Sequence, residues 1–287
     1  MQPIQEVRPS PIAGFWYSKD PVKLTQEIDS FLRNSILETV NGRVMGILAP
    51  HAGYRYSGKT AGLAFQTIVG RHFDLVVVIS PFHQYVNADV LTTAHRYYAT
   101  PLGEIPVDQE LVQKFLKVLK TDTQYKSLVI ANDEEHALEI ELPFLQRALK
   151  GSFSLLPLMV RSIDPQTAWD LAKILNRLID STSMLIVAST DLSHFYPQKE
   201  AERLDGNMLT QIETFSSDAV YQTERKGKGY ACGLGAILLA MELVKIMGAD
   251  QVKILGHSTS AAETGDTSSV VGYGAGVFLQ KSSAETG

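Results

Sequence analysis

Cysteine is nearly absent. Cys232 stands alone among 287 residues, which excludes an intrachain disulfide framework and leaves one thiol able to serve as a metal ligand or a nucleophile. Surplus positive charge is also missing. Lys and Arg total 26 against 31 Asp and Glu, a formal net charge of -5, whereas a general nucleic-acid binder carries a basic surface. No nucleic-acid partner is therefore expected. No apolar run is long enough to span a bilayer, so no membrane partner is expected either. Met1-Gln2-Pro3-Ile4-Gln5-Glu6 lacks the basic and apolar regions of a signal peptide, and with a single cysteine this points to a cytoplasmic setting. Repeats, low-complexity blocks and long linkers are lacking, so one domain over residues 1–287 is expected. What is present is ordinary: 45% hydrophobic and 20% charged residues, enough for a soluble chain with a large core.

Hydrophobic periodicity predicts strands alternating with helices. Strands are expected over Arg43–Ala49, Asp74–Ser80, Ala88–Ala94, Phe153–Val160, Met184–Ala188, Val252–His257 and Val270–Leu279. Helices are expected over Gln26–Leu37, Tyr56–Val69, Val107–Leu119 with Asp108 as cap, Asp164–Asp180 with Pro165 in its first turn, Lys199–Phe215 and Ala231–Met247. A further acidic helix from Glu134 towards Leu149 contains Pro143, which implies a kink or break. The fold class that follows is α/β, with a mostly parallel or mixed central sheet flanked by helices.

Three histidines follow strand-like runs. Ile47-Leu48-Ala49-Pro50 leads into His51, Leu75 to Phe82 leads into His83, and Met184 to Asp191 leads two residues on into His194. Ligands of open α/β sheets bind beyond the carboxyl ends of the strands. Three imidazoles delivered there point to a metal, to acid/base chemistry, or to both. Asp191 could orient His194, or it could merely cap a turn. Ala231-Cys232-Gly233 opens an apolar helix, where backbone N–H groups would favour a thiolate; the alternative is a small buried hydrophobe. His72 and His95 read as surface or turn histidines, and His257 and Glu263 as loop residues.

One segment carries two meanings. Gly53-Tyr54-Arg55-Tyr56-Ser57-Gly58-Lys59-Thr60 satisfies the phosphate-loop pattern of nucleotide binders, after a strand and before a helix. Its interior is bulky for a backbone cradle, so nucleotide binding at 53–60 is a minor alternative.

Several blocks together resemble the MEMO family, whose microbial members are called AmmeMemoRadiSam system protein B. They are Gly14-Phe15-Trp16-Tyr17, Ala49-Pro50-His51-Ala52-Gly53-Tyr54-Arg55-Tyr56-Ser57-Gly58, Pro81-Phe82-His83, Asp133-Glu134-Glu135-His136-Ala137-Leu138-Glu139, Ser189-Thr190-Asp191-Leu192-Ser193-His194 and Cys232-Gly233. The resemblance implies a fold similar to class III extradiol dioxygenases, which use non-haem iron(II). It implies His51, His83 and Cys232 as metal ligands, His194 as acid/base with Asp191 beside it, and Trp16 and Tyr54 as the aromatic wall of the cleft. The expected cofactor is a divalent metal, foremost iron(II), with copper or zinc as alternatives because a thiolate is a softer ligand than a carboxylate. The function implied is redox or oxygenase-like chemistry on a substrate, small molecule or peptide, that the sequence does not identify. The alternative is a module that binds a peptide or protein in the same cleft.

Overall fold

Residues 5–34, 40–161, 163–179 and 183–281 are described in the structure, a computed structural model. The strands in chain order are β1 (Val7–Arg8), β2 (Arg43–Ala49), β3 (Leu75–Pro81), β4 (Val90–Thr93), β5 (Tyr97–Thr100), β6 (Gly103–Pro106), β7 (Ser127–Ile130), β8 (Ser154–Val160), β9 (Met184–Ser189), β10 (Asp191–Tyr196), β11 (Gln251–Thr259) and β12 (Val270–Gln280). The helices are α1 (Pro21–Asn34), α2 (Tyr54–Gln66), α3 (Gln109–Asp122), α4 (Glu141–Ala148), α5 (Pro165–Leu178), α6 (Gln198–Glu213), α7 (Ser217–Arg225), α8 (Leu234–Ile246) and α9 (Ala261–Thr264).

The main sheet runs β10-β12-β2-β9-β3-β8-β4-β7, with β11 on β12; a small sheet runs β1-β5-β6. Its centre is parallel: β9 lies between β2 and β3, and β3 pairs with β8. Strands covered on both faces must be apolar throughout, and Val76, Val77, Val78 and Ile79 of β3 are fully buried. The sheet is mixed because β12 runs antiparallel to β2, β10 and β11, and β4 runs antiparallel to β8. Helix α8 packs on β3 and β9 and against α5, while α2 lies on β2 and β12 with α1 beside it. Capping follows the sequence: Asp108 accepts from Leu111 N at 2.9 Å and Asp164 from Thr167 N at 2.8 Å.

The α/β class and mixed sheet match the expectation. Several differences have local causes. The acidic stretch before α4 is not helical: residues 131–140 form a loop, and the helix begins at Glu141 with Pro143 in its first turn, where its missing N–H is harmless. Short strands β5, β6 and β7 carry too few residues for their periodicity to stand out, and β10 is polar and bulged. The ends of two expected helices, Ile36–Leu37 and Asp180, lie outside the described residues.

Register levels the strand ends. Ala49 of β2 pairs with Ser189 of β9, and Ile79 of β3 with Ala188. The residues just beyond these parallel strands therefore emerge at one edge of the sheet.

Candidate metal centre

His51 and His83 leave that edge on either side of β9. The loop before α4 brings in His136, and one donor atom from each of the three imidazoles lies within 4.8 Å of the other two. His51 and His83 are edge-to-face at 5.5 Å, and His83 stacks on His136 at 4.6 Å.

Hydrogen bonds fix how the first two rings present themselves. The Ser189 hydroxyl lies 2.8 Å from Ala137 O and 2.6 Å from Glu141 Oε1, and Ala137 O can only accept. The serine proton is thereby committed, and its oxygen accepts Nδ1–H of His51 at 3.0 Å. His83 Nδ1–H donates to Glu135 Oε1 at 2.9 Å. That leaves Nε2 of each ring as the position for a Lewis acid, and the partners on Nδ1 set the ring planes.

Glu135 is the organiser of the loop. Oε1 also accepts from His136 N (2.9 Å) and Ala137 N (3.0 Å), and Oε2 accepts from His83 N (2.7 Å). Burial alone would raise this carboxyl; the His83 imidazole and the N–H groups of His83 and Ala137 outweigh it and hold the group at about 2. Glu135 in turn holds the His83 imidazole above the ordinary range. Burial pushes His136 down to about 4, and burial with three neighbouring imidazoles pushes His51 well below its usual range. Near neutral pH, His51 and His136 are therefore uncharged and able to donate lone pairs.

Cys232 Sγ lies 3.2 Å from His51 Nε2 and accepts from Asp191 N at 3.2 Å. It stands beside the three-histidine set. Helix α8 starts at Leu234 with Gly233 as its N-cap, so Cys232 precedes the helix. A Cβ at Gly233 would collide with Ser189 O, and the glycine lets this segment lie against the end of β9. The helix-terminus argument for an easily formed thiolate does not hold here. Burial, with the Asp191 carboxylate nearby, pushes the thiol up, so a bound cation is needed to favour the thiolate.

Asp191 is buried, and burial raises it to about 7 against the pull of the His51 and Ala52 N–H groups. Oδ1 accepts from His51 N at 2.8 Å. His194 is oriented instead by Leu192 O, to which Nδ1–H donates at 2.9 Å. The expected Asp191–His194 pair is thus two residues with separate tasks. A bulge in β10 separates them, with Asp191 opposite Tyr273 and His194 opposite Val271. Burial lowers His194, which favours the neutral ring, and the nearby His83 acts in the same direction.

Trp16 packs over His136 at 4.1 Å between ring centroids. Tyr54 is 2% exposed, and its hydroxyl donates to Ile140 O at 2.9 Å. Enclosed by Tyr17, Phe31 and Phe144, it supports the cleft from within and forms no part of an open wall.

The phosphate-loop reading fails on geometry. Tyr54 to Thr60 are all helical, so α2 supplies no open backbone cradle. A Cβ at Gly58 would strike the Phe31 ring, which accounts for that glycine by packing. Lys59 pairs with Glu263, and Thr60 hydrogen-bonds Ser258 at 2.6 Å. His95 is also unlike its expectation, being fully buried between Gln5 O (2.7 Å) and Asn132 N (3.0 Å). His257 lies within β11 and pairs with the buried Asp205 at 2.8 Å.

His136, Glu135 and Ser189 have no role in the expectations from sequence. His136 follows no strong strand, and Glu135 reads as ordinary helix-start acidity. Only the block Asp133 to Glu139 signals them.

A family model described as Memo-like protein matches residues 8–277. A MEMO1 family protein of Thermotoga neapolitana is 33% identical, covering 93% of this chain and 98% of its own length. Those of Aquifex aeolicus (31%, covering 95% and 99%) and Nitrosopumilus maritimus (30%, covering 95% and 100%) are similar over equal spans. A solved structure of an uncharacterised Escherichia coli K12 protein aligns with TM-score 0.49 at 14% identity, covering 82% of this chain and 100% of that one.

Proposed function

The chain belongs to the Memo-like family, and from that premise we propose that it is a metal-dependent oxidoreductase whose centre is held by His51, His83 and Cys232, with His136 as a fourth donor. The carrying observation is the convergence of three imidazoles within 4.8 Å. The donor chemistry fits a divalent ion. His51 and His83 have their Nδ1 protons engaged, two of the rings are held neutral, and a sulfur stands 3.2 Å from His51 Nε2. Iron(II) is the metal proposed, and it supplies a redox-active Lewis acid; copper and zinc compete for the same nitrogen and sulfur donors.

The protein's own groups have defined tasks. Glu135 holds His83 and makes it a better donor, and Ser189 does the same for His51. With Nδ1–H on Leu192 O, the neutral His194 keeps its Nε2 lone pair, with which it takes a proton from a substrate. Trp16 covers one face of His136 and restricts water there. A cytoplasmic location suits a centre whose one thiol must stay reduced. Among the described residues no helix is long and apolar enough to cross a membrane.

Anaerobic purification followed by elemental analysis tests this reading. Wild type is expected to carry about one metal per chain, and His51→Ala none. A wild type that arrives metal-free and takes up no iron(II), copper or zinc on reconstitution overturns it.

One observation favours the second reading, a peptide- or protein-binding module. Phe15, Tyr85 and Phe195 are 87%, 87% and 75% exposed, and they neighbour Trp16, His83 and His194 in the chain. Phe195 also sits at φ +65°, a conformation unfavourable for a bulky residue. Peptide capture that persists after chelation, and is lost in a Phe15→Ser/Phe195→Ser double variant, would support it over the enzyme.

A further inference from the structure

The loop that carries Glu135 and His136 has no regular structure of its own, so something outside it must fix its place. That anchor is Arg8, which is 1% exposed. Its guanidinium is fully engaged. Nε donates to both Asp133 carboxylate oxygens at 3.2 Å. Nη1 donates to Glu139 Oε2 at 2.6 Å. Nη2 donates to Asp133 Oδ1 at 2.8 Å and to Glu135 O at 2.8 Å. Asp133 Oδ1 also accepts from Glu135 N at 3.1 Å. Arg8 and its counter-ion thus grip the carbonyl and the N–H of the residue whose side chain holds both His83 and His136. The aromatic ring of Tyr98 lies under the guanidinium at 5.0 Å.

Buried ion pairs are poor stabilisers, since replacing all their partners together by apolar groups of similar shape is often as stable or more so. They do fix geometry, because a planar fork with five donors accepts only one arrangement of partners. The rest of the N-terminal segment acts in the same direction. Ser10 and Tyr17 both donate to Glu139 Oε1, at 2.6 and 2.7 Å. Buried His95 links Gln5 O to Asn132 N, at a residue with φ +56°.

We propose that Arg8 is a positioning residue of the metal centre: through Asp133 and the Glu135 backbone it sets the places of His83 and His136, and with them the affinity for metal. This rests on the proposed metal centre, and the test separates the two. Cobalt(II) and zinc would be titrated into chelator-stripped wild type, Arg8→Met and Arg8→Lys, with dissociation constants, the cobalt visible spectrum and thermal melting recorded. Arg8→Met strands the buried Asp133 and Glu139 carboxylates, so it is expected to melt at lower temperature, to bind both ions about 10–100-fold more weakly while folded, and to show a shifted cobalt spectrum. Arg8→Lys keeps the charge without the fork and should recover melting temperature more fully than affinity. Should Arg8→Met fail to fold, Arg8→Met/Glu139→Gln removes a carboxylate that would otherwise be stranded without a cation. Variants that fold and bind cobalt with wild-type affinity and spectrum overturn the inference, as does failure of both the single and the double variant to fold. Wild type that binds neither ion overturns the proposed centre itself.

Discussion

The histidine cluster has two halves held in different ways. His51 and His83 hang from the ends of parallel strands buried on both faces, in a register shared with β9. Glu135 and His136 hang from a loop whose position depends on buried hydrogen bonds to a residue more than a hundred positions earlier. The strand-borne half is fixed by the cooperative packing of the core, whereas the loop-borne half is fixed by a few polar contacts. Regions of the second kind open locally at lower free energy. They are also where an ion, by binding the folded arrangement alone, adds the most order.

The largest contrast comes from removing one imidazole of each half. His51→Ala should abolish metal binding in an elemental assay, while His136→Ala should weaken it by about 10–100-fold and leave measurable stoichiometry. Equal, complete loss in both would erase the distinction between the halves. Next is Glu135→Gln, which keeps the size but turns an acceptor of four hydrogen bonds into a poorer one. It should destabilise the apo protein by about 1–3 kcal/mol in urea melts and lower zinc affinity more than Ser189→Ala does. A larger loss in Ser189→Ala would show that the strand-borne half is the weaker one.

Acid acts on both halves, because burial holds His51 as well as His136 below the ordinary histidine range. His136 is depressed to about 4, so its folded form resists protonation and stability falls as pH drops from the ordinary histidine range near 6.5 towards 4, by at most about 3 kcal/mol. Glu135 is depressed to about 2, so its contribution is full above about 4.5 and is lost as pH falls towards 2. Melting temperature against pH for wild type and His136→Asn measures the first window. An unchanged slope between 6.5 and 4 in the variant would remove His136 as its source. The smallest effect serves as a control: Asp164→Ala removes a helix cap far from the centre in sequence and should cost about 1 kcal/mol with metal affinity unaltered.

The α/β class, the strand ends that deliver His51 and His83, and the caps at Asp108 and Asp164 are all legible along the chain. Each of these follows from an unbroken local pattern: an apolar run that must be buried, or an acidic side chain one turn before the N–H it accepts. The remaining features arise from long-range contacts. Nothing local distinguishes Glu135 as a clamp on two imidazoles from Glu134 beside it; only the approach of His83 does so. Nothing local brings Arg8 to Asp133, turns Asp191 towards His51 and away from His194, or raises a thiol that a helix end would have lowered. Those outcomes depend on groups distant in sequence sharing one buried, weakly screened space. There desolvation and hydrogen-bond geometry decide which charges form and which lone pairs stay free.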